Sequence, residues 1–215
     1  MSRRPLVVAS KPVRSYADVV KVESVKGPDY VELRLDYMKD LESIPPEVLA
    51  LVKRPIIATL RDVAEGGVNP LSPEVKTAYL NRLHDLGIMY DVEVSFLKSH
   101  NVVYEEKIVS AHYLDRVPTA REVLSTVERY ASSAFCVKIA VVTAPGYKSL
   151  LSQVLDLGYD NVAVMPIGSS PWERLAFGLL GSKLIYSYVD EPTAPGQMKY
   201  DKLLKVLEVL SIVKS

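Results

Sequence analysis

The chain has 215 residues, 26 of them basic and 26 acidic, so its formal net charge is zero, and 48% hydrophobic with 24% charged is the make-up of an ordinary globular protein. Balanced charge argues against a nucleic acid or a membrane surface held by bulk electrostatics, and the longest stretch without Asp, Glu, Lys or Arg, Asn161 to Trp172, is far too short to cross a bilayer. The single cysteine, Cys136, can make neither an internal disulfide nor a thiolate metal cluster, and the apolar run Pro5 to Ala9 behind Arg3 and Arg4 is too short for a secretory leader, so the expected location is the cytoplasm.

One pattern recurs along the chain: a short β-rich run, a turn, then an amphipathic segment. The runs are Pro5–Ser10, Tyr30–Asp36, Pro55–Arg61, Met89–Ser95, Lys107–His112, Phe135–Val141, Asn161–Met165 and Lys183–Val189. Their starts lie about 25 residues apart, the length of a strand and its returning helix. Ser72-Pro73-Glu74 reads as an N-cap with proline in the first helical turn, Val75, Ala78, Tyr79, Leu83 and Leu86 keep helical spacing, and Gly87 stops the helix. Thr119 and Glu122 form a capping box for a helix through Tyr130. Ser169–Gly181 and Tyr200–Val213 carry similar apolar stripes, whereas Lys98–Glu105 is barely long enough for a helical turn. Eight βα units without a linker predict a single α/β domain over residues 1–215, a (β/α)8 barrel. The competing open, doubly wound sheet lacks its usual support, because Ser10-Lys11-Pro12-Val13 follows the first run where a glycine-rich dinucleotide loop would stand.

In a parallel barrel both strand faces are buried, one under the helices and one in the interior. Val31, Leu33 and Leu35 then cover the helices while Glu32, Arg34 and Asp36 point inward, and Ile56, Ala58 and Leu60 alternate with Ile57, Thr59 and Arg61. Asp91, Glu93 and Ser95 oppose Val92 and Val94; Ser110 and His112 share a side; Lys138 interrupts Phe135-Cys136-Val137-Lys138-Ile139-Ala140, with Cys136 a small core filler. Buried charges are costly unless they pair or do chemistry. A structural ion-pair layer is one account of them. The other is a site, because Arg34, Arg61, His112 and Lys138 come late in their strands, at the mouth where barrel active sites lie. A desolvated lysine beside a guanidinium favours the neutral amine, the form that condenses with a ketone; the competing reading pairs Lys138 with Asp91 or Glu93. A histidine one strand away could move protons for that reaction. The loop Arg61–Gly67 brings Glu65 towards the mouth, Pro192–Gln197 suits a lid carrying Thr193 and Gln197, and Arg174 could clamp a carboxylate.

These pieces, Glu32-Leu33-Arg34-Leu35-Asp36, Arg61-x-x-x-Glu65-Gly66-Gly67, Ser110-Ala111-His112, Val137-Lys138-Ile139-Ala140, Arg174-Leu175-Ala176 and Ala194-Pro195-Gly196-Gln197, stand in an order that resembles the type I 3-dehydroquinate dehydratases over nearly the whole length. The resemblance implies a hydro-lyase of the shikimate pathway that dehydrates the small molecule 3-dehydroquinate through a lysine Schiff base, with no metal and no cofactor. It implies Lys138 as the imine-forming residue, His112 as general acid and base, and Glu65 as the group that orients His112. Arg174 would take the substrate carboxylate, with Glu32, Arg34, Arg61, Thr193 and Gln197 holding hydroxyls and shaping the pocket. Thr193 stands where the family commonly has Ser. A homodimer is common in the family. The alternatives are another lysine-dependent lyase on the same barrel, such as an aldolase, and a silent barrel that binds a small acid.

Overall fold

The computed structural model describes residues 4–210. All eight expected strands are present: β1 (Leu6–Pro12), β2 (Tyr30–Arg34), β3 (Ile56–Thr59), β4 (Met89–Glu93), β5 (Ile108–Tyr113), β6 (Cys136–Val142), β7 (Val162–Ile167) and β8 (Leu184–Tyr188). Every ladder is parallel and the order is sequential, β7-β6-β5-β4-β3-β2-β1-β8, with β1 pairing both β2 and β8. A doubly wound sheet would reverse its order part-way; this one runs round instead. The β7–β8 junction has no ladder and is joined by Lys183 N–H to Val162 O (2.8 Å) and Val164 N–H to Ser182 Oγ (3.0 Å). The fold is the (β/α)8 barrel expected from the repeat.

Between the strands lie α1 (Tyr16–Val20), α2 (Pro46–Ala50), α3 (Pro73–Asp85), α4 (Val94–Leu97), α5 (Ala120–Tyr130), α6 (Tyr147–Leu155), α7 (Pro171–Leu179) and α8 (Tyr200–Val209). Capping explains where the long ones begin. The Ser72 hydroxyl accepts from the Val75 amide ahead of α3, and Thr119 with Glu122 closes the expected capping box on α5. The last residues of the helix expected over Tyr200–Val213 lie outside the described residues.

Two sequence expectations are corrected. Val94 and Ser95 belong to α4, not to the fourth strand, so Ser95 leaves the inward register and turns its hydroxyl to Glu65; Lys98–Glu105, marked by the sequence as barely long enough for a helical turn, contains no helix. Asp36 is also not a strand residue. It sits in a 3-10 turn over Leu35–Tyr37 and accepts both Arg34 Nε (2.7 Å) and Nη2 (2.8 Å).

Packing follows strand alternation. Val31, Leu33, Ala58, Val92, Val109, Val137 and Ile139 face the helices in one large apolar cluster, and the barrel floor is a separate layer that includes Val8, Ile57, Ile108, Cys136 and Leu184. Burial pushes the Cys136 thiol up to about 12, so it fills space as a neutral group. Two residues beyond each floor residue come Ser10, Thr59, Ser110, Lys138 and Tyr186, and at this level the interior turns polar.

Candidate active site

The mouth of the barrel, at the C-terminal strand ends, opens into a cavity of about 230 Å³. That is below the roughly 300–1,000 Å³ typical of pockets for drug-sized ligands, so the cavity suits one small molecule. Its wall includes all nine residues singled out from the sequence: Glu32, Arg34, Arg61, Glu65, His112, Lys138, Arg174, Thr193 and Gln197.

Lys138 projects inward from β6 because Val137 and Ile139 occupy the helix-facing positions. Its Nζ lies 2.6 Å from Asp91 Oδ2 and 4.7 Å from the centre of the Tyr186 ring. The ion pair and the cavity therefore coexist: the amine is held by a carboxylate on one side and borders open space on the other. Asp91 also meets Arg61 Nη2 (2.9 Å) and accepts from Ser110 Oγ (2.5 Å). Burial pushes the Asp91 carboxyl up, but Arg61 and Lys138 outweigh it and hold the group far below the usual carboxylate range. Arg61 continues to Glu93 (3.2 Å), and Glu93 to Lys76 on α3 (2.6 Å). The result is an alternating chain of buried charges, Lys76, Glu93, Arg61, Asp91 and Lys138, that crosses the barrel wall. Both sequence readings of the polar ladder are thus partly met, since the ion-pair layer is the support of the cavity.

His112 stands beside this chain. Ser110 pairs with Lys138 and His112 with Ala140 across β5 and β6, which sets the histidine one inward step nearer the mouth than the lysine. Glu65 Oε2 accepts from both the His112 backbone N–H (3.0 Å) and ring Nδ1 (2.8 Å). With Nδ1–H given to Glu65, Nε2 carries the free lone pair. Burial, then Arg61 and Lys138, push the imidazole well below its ordinary value, so it is neutral at rest. Burial also raises the Glu65 carboxyl, against the opposing pull of the Ser95 hydroxyl and Arg61.

Arg174, in the first turn of α7, has no carboxylate partner among the described residues. It donates to Met165 Sδ (3.2 Å) and to Pro195 O (2.6 Å), while Nε is buried without a partner. Burial alone pulls its guanidinium down to about 10. A buried, unpaired guanidinium on a cavity wall is a receptor for an anion. Thr193 and Gln197 tie their loop together: Gln197 Oε1 accepts from the Thr193 amide (2.7 Å), and Gln197 Nε2 donates to the Thr193 hydroxyl (3.2 Å). Gly196 closes the loop at φ +81°, and a Cβ there would lie 2.2 Å from Ser169 O. Gly196→Ala should therefore displace Pro195 from Arg174 and raise KM several-fold while leaving the melting temperature of the barrel nearly unchanged; unchanged steady-state kinetics would separate the loop from binding. Glu32 accepts from Ser10 Oγ (2.5 Å) and Thr59 Oγ1 (2.9 Å), and Arg34 is committed to Asp36 and the Gly66 carbonyl.

The sequence reading named Asp91 only as one of two candidate partners for Lys138, the one the structure shows, and gave Ser95, Ser110 and Tyr186 no role in the site. Asp91 and Ser110 carried a signal, as polar residues on the inward face. Tyr186, inside the apolar run Leu184-Ile185-Tyr186, carried none. Among the described residues, no group of three or more His, Cys, Asp or Glu side chains could hold a metal ion, and no helix is long and apolar enough to cross a membrane.

The sequence model of the type I 3-dehydroquinase family matches residues 6–147. The chain belongs to that family. It is similar to the 3-dehydroquinate dehydratases of Saccharolobus solfataricus (42% identity over 97% of this chain and 96% of the relative) and Metallosphaera sedula (44% over 96% and 98%). A crystal structure of 3-dehydroquinate dehydratase from Geobacillus kaustophilus superposes with a TM-score of 0.79 at 25% identity, covering 98% of this chain and 93% of that one. Family membership decides between the sequence alternatives: the chain is an enzyme, a type I 3-dehydroquinate dehydratase and hence a lyase of the shikimate pathway, rather than an aldolase or a silent barrel.

Proposed function

We propose that the type I dehydratase dehydrates 3-dehydroquinate to 3-dehydroshikimate through an imine on Lys138, with His112 as general acid and base. The observation that carries this reading is a lysine amine and the bare Nε2 of a neutral histidine on the wall of one small cavity, together with a guanidinium that has no carboxylate partner among the described residues. Arg174 takes the substrate carboxylate and so sets the ring's orientation. Lys138 gives up one ammonium proton, the freed lone pair adds to the ketone carbon, and the carbonyl oxygen takes that proton and a second from the nitrogen and leaves as water, so that a protonated imine remains. Asp91, which stays ionised, is its counter-ion, replacing the ammonium it faced before. The cationic imine acidifies the adjacent methylene. His112 Nε2 removes a proton there, giving an enamine, and returns that proton to the hydroxyl two carbons from the imine as the C–O bond breaks. Water then hydrolyses the conjugated imine and frees Lys138. No external oxidant or reductant enters, since elimination and imine exchange leave the redox balance untouched.

Glu65 fixes the tautomer and orientation of His112 through the two hydrogen bonds described above. Glu32, Arg34, Arg61, Thr193 and Gln197 shape the pocket around the ring hydroxyls, and Arg61 also fastens Asp91. We further propose that the whole chain acts as one catalytic domain, as a cytoplasmic homodimer, without a cofactor. The test is borohydride reduction in the presence of 3-dehydroquinate, followed by peptide mass mapping. A stable adduct on Lys138 is expected; a label on another lysine, or no label, removes the covalent step.

A further inference from the structure

Four buried side-chain polar atoms among the described residues lack a hydrogen-bond partner, and two of them, Arg174 Nε and Tyr186 Oη, belong to residues of the same cavity wall. Leaving a buried donor unpaired is costly, and functional sites are where such atoms persist. Arg174 is explained by the substrate carboxylate. Tyr186 has no part in the mechanism above, and no sequence signal marked it.

Tyr186 sits on β8 opposite Val8 of β1, one inward step below Ser10, whose hydroxyl holds Glu32. Its ring packs against the Lys138 ammonium, 4.7 Å from ring centre to Nζ. The side chain is buried, with 5% of its surface exposed, and contributes to the cavity wall. Burial, then the nearby carboxylates of Glu32 and Asp91, push the phenol well above its ordinary value, so it remains a donor throughout the working pH range. Glu32, whose two carboxyl oxygens accept one bond each from Ser10 and Thr59, keeps further acceptor capacity. A buried donor and a carboxyl acceptor on one cavity wall are matched by a group that both accepts and donates. A hydroxyl does so; a ketone oxygen cannot, because it has no proton to give Glu32.

We propose that Tyr186 is a substrate-binding residue that selects for a ring hydroxyl, donating to that hydroxyl's oxygen while the hydroxyl donates to Glu32. Because the ring lies 4.7 Å from the Lys138 nitrogen, the hydroxyl proposed for recognition is one close to the carbon that Lys138 attacks. Through this contact the enzyme distinguishes a polyhydroxylated ring ketone from a deoxygenated one. The inference deepens the dehydratase reading and rests on it.

The test is Tyr186→Phe, which keeps the ring beneath Lys138 and removes only the unpaired hydroxyl. Because that hydroxyl bonds nothing in the free enzyme, the melting temperature is expected to hold or rise. The lost hydrogen bond should raise KM for 3-dehydroquinate about tenfold with kcat little changed, the signature of binding shared by ground and transition states. Borohydride should still trap the substrate on Lys138. Combined with Glu32→Gln, the losses should be less than additive, since both residues act on one hydroxyl. Unchanged KM in Tyr186→Phe, or fully additive losses, overturns the inference while wild-type turnover and labelling leave the dehydratase reading standing. A wild-type enzyme that neither turns over nor labels sinks both.

Discussion

Lys138→Ala is expected to abolish turnover of 3-dehydroquinate and to leave nothing for borohydride to trap, in a protein that still folds. The loss is chemical because no other side chain on the cavity wall offers an amine: its remaining basic groups are three guanidines and an imidazole. Folding survives because Asp91 is not stranded. Removing one member of a buried ion pair typically costs about 3–5 kcal/mol when it leaves a lone charge, but Asp91 retains Arg61 at 2.9 Å and the Ser110 hydroxyl at 2.5 Å. A lower melting temperature with a retained cooperative transition is therefore expected, alongside a flat progress curve. Residual turnover close to that of the wild type would mean that the amine only fills the interior.

The second large effect belongs to His112. His112→Ala should still form the imine, because Lys138 and Asp91 are untouched, yet lose on the order of 10²–10⁴ in kcat, the range for general acid–base catalysis. Mass spectrometry after reduction would read the first step and steady-state kinetics the second. Near-normal turnover would dismiss the histidine. Burial holds this imidazole well below the ordinary value of about 6.5, with Arg61 and Lys138 adding to the effect. A folded-state value below the unfolded one means that the unfolded chain binds the extra proton between the two. The contribution to stability is then complete above about pH 6.5 and is lost as pH falls from there through the folded-state value. His112→Ala should flatten that part of the stability profile.

Comparison of particular residues shows why some of this was legible beforehand. On β2, Glu32 and Arg34 alternate with Val31 and Leu33, and a two-residue period translates directly into inside and outside once both faces are known to be covered. The same rule placed Lys138, Thr59 and His112. It failed at strand ends. Asp36, Val94 and Ser95 continue the alternation in sequence but not in space, because the chain has already turned into helical geometry there, and periodicity carries no marker of the bend. Asp91 was read as inward and as one of two partners for Lys138; choosing between it and Glu93 depends on register between neighbouring strands, which alternation within one strand does not set. Lys76 shows a further limit: it lies on a capped amphipathic helix, where a lysine normally signals solvent, yet it is buried against Glu93 and Phe96. Tyr186 looked like packing because its ring is packing, and only its terminal oxygen is not.

The row of opposite charges from Lys76 to Lys138 also has a thermal meaning. Hydration of ions weakens as temperature rises, so the penalty for keeping such groups out of water shrinks on heating, while the gain from hiding hydrocarbon levels off. The wall that grips the reactive nitrogen thus gains relative to the oily layers around it as the solution warms. Heat should fray the outer helices before it blurs the aim of the nucleophile.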